Sequence, residues 1–250
     1  MSSCAPEPVR STMQALTRGL VKVLGDRLVG VYLGGSLPMG DFCAASSDLD
    51  FLVITRGPLS IEESLAVELL HRDLLRRYDY AARLEGDYAP AGVLVPEGTS
   101  EPVPGCERGI FLPKVGEIML SADNIANLRE YGMVFYGPDP HAILPAVAPD
   151  QVRAAVREML KLGPVAPESA QDAAGQILNL LRSGCALERG EPATKSDGAR
   201  WGLEHLGAEW HPVIRTALAV RCHQVTPGDA ERLGKALPEL YRLIQERFLH

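Results

Sequence analysis

Two carboxylates, two residues apart, open an apolar run: Ser47-Asp48-Leu49-Asp50-Phe51-Leu52-Val53. Successive side chains of an extended strand point to opposite faces, so Asp48 and Asp50 share one face while Leu49 and Phe51 share the other. Such a pair repels itself unless a cation lies between the two groups. Hard oxygen ligands at this spacing suit Mg²⁺, which takes one or two carboxylates and fills its shell with water and substrate phosphates. Taken alone, the pattern also fits a solvent-facing strand edge. Upstream, Gly34-Gly35-Ser36 closes another apolar stretch. Glycines let backbone approach a ligand, and the Ser36 hydroxyl with the N–H groups after it can cradle phosphate oxygens. A strand, a Gly-Gly-Ser turn, a short loop and then Ser-Asp-x-Asp on a second strand is far more specific than either part.

The elements that must hold these residues follow from periodicity. Residues 11–27 carry Met13, Leu16, Leu20, Val23 and Leu24 at helical spacing behind a Ser11/Thr12 start signal. LVGVYLGG and DLDFLVIT read as strands, IEESLAVELLHRDLLRRY as a long helix after the Gly57-Pro58-Leu59-Ser60 turn, and AARLEGDYA as a third strand. Residues 90–117 are rich in Gly and Pro and resist assignment, although GIFLP fits a short strand; SADNIANLRE then reads as a helix and GMVFYGPDP as a strand and turn. Beyond residue 149 the pattern turns helical, with candidates at 150–162, 170–189, 195–207, 211–222 and 228–249. The expected fold class is α+β: a domain over 1–147 with a mixed sheet, then an α-helical bundle over 148–250.

Composition narrows the partners. Hydrophobic residues make up 46% of the 250 and charged residues 23%, as in an ordinary soluble protein. No apolar run reaches the roughly 18 residues of a membrane span, and the polar start lacks the pattern of a secretory signal, so a cytoplasmic location is expected. A net charge of -7 argues against nucleic acid and favours a cationic small molecule. Cys4, Cys43, Cys106, Cys185 and Cys222 are scattered without a C-x-x-C pair, and read as reduced thiols without a chemical role.

At its glycine turn and acidic pair the chain resembles the nucleotidyltransferase superfamily of the DNA polymerase β type, whose signature is a G-S loop followed by D-x-D on the neighbouring strand. The resemblance implies that Asp48 and Asp50 hold Mg²⁺ against ATP, that Gly35 and Ser36 contact its phosphates, and that Ser47 belongs to the same ATP site. Nucleotidyl transfer also needs a base for the attacking hydroxyl. Glu85 and Asp87 stand at strand spacing on one face; Glu85, behind Leu84, matches the superfamily's third acidic residue and is preferred as base, metal ligand and acceptor contact. Asp87 is either a substrate contact or simply exposed.

Over nearly its whole length the sequence is similar to the bacterial aminoglycoside adenylyltransferases that modify streptomycin and spectinomycin. GGS…SDLDFLV, Glu85, REYGMVFYGPDP and ILNLLRSGCALERGEPATKSDGARWGLEHL carry the likeness. It implies an enzyme moving AMP from ATP to a drug hydroxyl, with Arg182 and Lys195 on the ATP phosphates and Glu168 and Asp172 facing the aminoglycoside; a monomer is expected. The physics is compatible. Thr194 with Asp197 reads as a cap that puts Lys195 in a first helical turn, where the helix dipole disfavours a cation and a phosphate would relieve it. Arg182 beside Leu178 and Leu181 also fits a snorkelling stem, Asp172 also fits a helix cap, and Trp201 fits the core better than a site. The chain departs from the family at Arg221, where an aromatic residue is expected, and in 96–117, which lacks the family's substrate-contacting Trp. Which drug is modified is left open. AMP transfer to protein or RNA, and a non-catalytic nucleotide-binding or antitoxin-like module, remain as alternatives.

Overall fold

In the computed structural model, which describes residues 5–97, 103–113 and 120–249, the chain divides into two units. One is drawn from Met1–Phe42 and Ser47–Val147, the other from Cys43–Ser46 and Ala148–His250. The architecture is α+β, a mixed sheet followed by helices.

The first unit starts with α1 (Glu7–Leu24), entered from Pro6 with Pro8 in its first turn, where a missing N–H is tolerated. The expected Ser11/Thr12 start is overturned. Both hydroxyls lie inside the helix and donate to the Pro8 carbonyl, at 3.1 and 2.7 Å, because helical backbone gives them an acceptor one turn back. Then come β1 (Leu28–Leu33), β2 (Leu49–Thr55), α2 (Ile61–Arg77), β3 (Leu84–Pro90), β4 (Gly105–Glu107), β5 (Ile110–Leu112), α3 (Ala122–Tyr131), β6 (Met133–Tyr136) and α4 (Pro140–Ile143). Residues Asp79–Arg83 form a 3-10 turn, so the third strand begins at Leu84 rather than at 81. Strand β4 has no clear periodic signal; it pairs with β5 across a turn in which Arg108 and Gly109 both have positive φ, the geometry of a tight hairpin. The stretch 90–117, with its expected GIFLP strand, falls partly on 98–102 and 114–117, outside the described residues.

Among the described residues the sheet order is β5-β4-β3-β2-β1-β6, and only β2 and β3 pair in parallel, joined through α2. Helix α2 begins with a reciprocal cap: Glu63 N–H donates to Ser60 Oγ and Ser60 N–H to the Glu63 carboxylate. Alternation along β1 and β2 splits the core in two. Val31, Leu33, Leu49, Phe51 and Val53 pack with α1 and α2; Tyr32, Leu52 and Ile54 pack with Ile125, Leu128 and Leu144. Below the sheet, buried His71 of α2 lies 3.0 Å from the Gly109 carbonyl through Nδ1 and 2.6 Å from the Tyr88 hydroxyl through Nε2. A carbonyl only accepts, so Nδ1 carries the proton and Nε2 receives the Tyr88 O–H.

The second unit contains α5 (Pro149–Lys161), α6 (Ala170–Arg189), α7 (Lys195–His205), α8 (His211–Arg221) and α9 (Asp229–Leu249), each within a few residues of its expected span. Small residues let α6 and α7 close up. A Cβ at Gly184 would strike the Trp201 ring, and one at Gly202 would press on Leu181. Trp201 is buried, with its indole N–H on Glu188 at 2.8 Å, as a core residue should be.

Tyr88→Phe removes the donor to a buried ring nitrogen. We expect a loss of about 1–3 kcal/mol in urea unfolding, against a near-neutral result for a hydrogen bond that contributes nothing.

Candidate active site

The parallel register of β2 and β3 puts Asp50 opposite Glu85, then Leu52 opposite Asp87, then Ile54 opposite Ala89, all on one face. Leu52, Ile54 and Ala89 are buried in the second core cluster. The face is therefore acidic where the two strands begin and apolar beyond. Asp48 and Asp50 are exposed, while Glu85 and Asp87 are half-buried at the boundary. Partial burial pushes the Glu85 carboxyl up to about 7, with Asp48, Asp50 and Glu107 adding repulsion and Arg108 opposing it. Burial alone lifts Asp87 to about 6. A carboxyl titrating near neutrality can both take and hold a proton there.

The glycine turn sits directly on this acidic end. Gly34 N–H donates to the Asp50 carbonyl at 2.7 Å. Gly35 has φ +69°, and a Cβ there would lie 2.6 Å from Asp50 Cγ. Only glycine meets both demands. The turn is fixed from α3: Asn127 Oδ1 accepts the Gly35 N–H at 2.7 Å, and its amide lies 2.9 Å from the Met39 sulfur. Ser36 is half-buried, and its carbonyl accepts the Asp41 N–H at 2.9 Å. Ser47 is buried, and its carbonyl accepts from Arg83 Nη1 at 3.2 Å. Arg83 itself lies 4.7 Å over the Tyr80 ring. Asn127 thus holds the glycine turn and Arg83 the segment leading into β2, and sequence reasoning missed both. Their only signals were a polar residue among the apolar positions of α3 and a basic residue just before β3.

In the helical unit, Lys195 is the first residue of α7, behind a Thr194 cap that shares a reciprocal box with Asp197. A Cβ at Gly198 would lie 2.6 Å from the Arg182 Cα, so α7 meets α6 at that residue. Arg221 donates to Ser196 Oγ at 3.3 Å, which adds a third cationic side chain at the start of α7. Glu168 and Asp172 are exposed at the start of α6. Asp172 accepts from Glu168 N–H at 3.0 Å and from Gln176 at 3.2 Å, so its carboxylate also serves the helix end.

Among the described residues no three His, Cys, Asp or Glu side chains are gathered as a ready metal cage. The donor set fits a different kind of ion: one that uses one or two carboxylates and receives its other oxygens from a phosphate. No helix among the described residues is long and apolar enough to cross a membrane.

Residues 142–244 match the model of the aminoglycoside adenylyltransferase C-terminal domain. The chain is 30% identical over 142 residues to aminoglycoside (3'') (9) adenylyltransferases of Klebsiella pneumoniae and Shigella flexneri, covering 57% of this chain and 50% of theirs. It spans about half the length of the curated relatives it matches. A crystal structure of the spectinomycin adenyltransferase AAD(9) from Enterococcus faecialis, with ATP and spectinomycin, superposes with a TM-score of 0.73 at 20% identity, covering 94% of this chain and 99% of that one. At that identity the likeness establishes the fold.

Gly35→Ala must strain the backbone or move the Asp50 carboxylate; we expect a loss of about 1–3 kcal/mol in urea unfolding, and an unchanged midpoint would remove the close contact from the account. Glu85 binds its proton more tightly folded than unfolded. It therefore stabilises the fold below its ordinary value of 4.5, and that contribution is lost as pH rises through about 7. Glu85→Gln should consequently gain on the parent, metal-free, by the order of 1 kcal/mol more at alkaline than at acidic pH, after discounting for solvent. Equal shifts at both would sink this reading. The comparison with the parent also cancels His71, whose burial holds it down at about 4 and whose contribution runs the opposite way.

Proposed function

We propose that the chain is an aminoglycoside adenylyltransferase that moves AMP from ATP to a hydroxyl of an aminoglycoside-type antibiotic, streptomycin, spectinomycin or both, a reading supported by the C-terminal domain match over residues 142–244 and by the likeness to aminoglycoside (3'') (9) adenylyltransferases. Resistance to the drug follows. The observation that carries the reading is the joining of a glycine turn to the acidic end of one sheet face, where Asp50 and Glu85 pair and Asp48 lies close enough to repel Glu85. Asp48 and Asp50 would hold Mg²⁺, which when bound neutralises phosphate charge and polarises the phosphoryl group. Gly35, Ser36 and Ser47 line the backbone that meets the phosphates. Glu85, held near neutrality, takes the proton of the drug hydroxyl as its oxygen bonds to the α-phosphorus and the bond to pyrophosphate breaks. Arg182 and Lys195 supply positive charge to the leaving pyrophosphate. Glu168 and Asp172 offer carboxylates to the drug's ammonium or guanidinium groups, with Asp87 as a further contact, and the net charge of -7 draws such cations in.

The chain incubated with ATP, Mg²⁺ and each drug should yield pyrophosphate and a drug heavier by one AMP in mass spectrometry. Asp50→Asn should lower that rate by about 10³-fold or more, since it removes transition-state stabilisation and not merely binding. Activity unchanged in Asp50→Asn would instead mark a nucleotide-binding module, and no adduct with any drug would exclude the substrate class.

A further inference from the structure

The scattered cysteines include a pair. In the second unit Cys43 opens a tight turn, closed by the Ser46 N–H on the Cys43 carbonyl at 3.1 Å. Cys222 follows the last residue of α8. The Cys222 thiol is in hydrogen-bond contact with the Cys43 thiol, and Cys43 Sγ donates to the Arg221 carbonyl at 3.5 Å. On the other side of Cys222, His223 takes a left-handed φ of 59° and its Nε2 donates to the Ala45 carbonyl at 3.0 Å. The turn is thus fastened to the helix end on both sides of the two sulfurs. Neither thiol is in a disulfide; Cys43 is half-buried and Cys222 exposed.

The surroundings of Cys43 favour reaction. Burial raises its thiol, but hydrogen bonds from the Ser46 side chain, from the backbone of Ala45 and Ser46, and from Cys222 outweigh it and hold the thiol below the ordinary cysteine range. Backbone N–H groups converging from a turn stabilise an anion, and a stabilised thiolate is the nucleophilic form of cysteine. Cys106 and Cys185 provide the contrast, since both are buried and burial pushes both thiols up.

We propose that Cys43 and Cys222 form a redox-active dithiol, a modification site at which hydrogen peroxide oxidises Cys43 and Cys222 resolves the product to a disulfide. The Cys43 sulfur attacks one peroxide oxygen; the S–O bond forms, the O–O bond breaks, and with the thiol proton the leaving oxygen departs as water. The Cys222 sulfur then attacks the Cys43 sulfur of the sulfenic acid, the S–O bond breaks, and a second water leaves with the Cys222 proton. The two thiols give up two electrons and the peroxide receives them. Cys43 stands in the chain between Ser36 and Asp48, so the disulfide would tether the segment that leads from the glycine turn into the acidic strand.

The test uses the full reduced chain carrying Cys4→Ser, treated with hydrogen peroxide, quenched by alkylation and mapped as peptides by mass spectrometry. The expected product is a thiol-reversible Cys43–Cys222 linked peptide, at least about tenfold more abundant than any other pairing. In Cys222→Ser, Cys43 should stop as a sulfenic acid that a dione probe traps; in Cys43→Ser, Cys222 should stay reduced at the same peroxide dose. Absence of the linked peptide, an even spread over all thiols, or oxidation of Cys222 in Cys43→Ser at the unmodified rate would overturn the proposal. The map of the chain that keeps both cysteines decides the matter even if a variant fails to fold.

Discussion

Repulsion among carboxylates that share one end of a sheet face is the constraint around which this protein is arranged. Asp50 and Glu85 are register partners on parallel strands, and Asp48, just before β2, adds its repulsion to Glu85. The face offers them no apolar escape, because its other end is filled by Leu52, Ile54 and Ala89 against α3. The strain is visible in Glu85, whose proton is held up to about 7 by partial burial and by its two acidic neighbours. A protein that keeps such a cluster must either neutralise it or use it, and in the proposed reaction a cation that arrives with a triphosphate would do both.

The supporting residues make sense in that light. Gly35 comes so close to Asp50 that no side chain fits, which brings backbone directly against one of the clustered carboxylates. Asn127 and Arg83 pin the main chain on either side, from α3 and from the turn before β3. The buried His71–Tyr88 bond anchors β3 from the opposite face. These groups do not meet the substrate in the proposed reaction; they hold still the groups that do, and precise placement is what metal-assisted transfer requires. In the helical unit the same economy appears as small residues at the α6–α7 crossing, which let α7 begin against the backbone of Arg182 and carry Lys195 and Ser196, with Arg221 bonded to Ser196.

Reading the sequence recovered what is governed by local pattern. The helices beyond residue 149 follow from period and caps, with the Thr194–Asp197 box as an example, and the α+β division follows from their contrast with the alternating first half. Local pattern also misled. Ser11 and Thr12 looked like a helix start because both residue types cap well, yet the helix already runs through them and their hydroxyls turn back to Pro8. Residues Asp79–Arg83 looked extended, but tighten into a 3-10 turn before Leu84. The cysteines looked solitary because their spacing along the chain says nothing of Cys43 and Cys222 meeting.

The sequence by itself determined that Asp50 would face away from Leu49 and Phe51, since strand alternation is a property of consecutive residues, and that Gly34-Gly35 would end a strand; Asp48 lies just before β2, where alternation no longer fixes its side. It also carried the family likeness. Only the tertiary structure decided that Glu85, not Asp87, lies opposite Asp50, that Gly35 abuts the Asp50 carboxylate, and that Asn127 reaches Gly35. The reason is that a parallel pair is joined by a long crossover, here through α2, whose closure sets the register between residues far apart in the chain; nothing in the neighbourhood of either strand encodes that alignment.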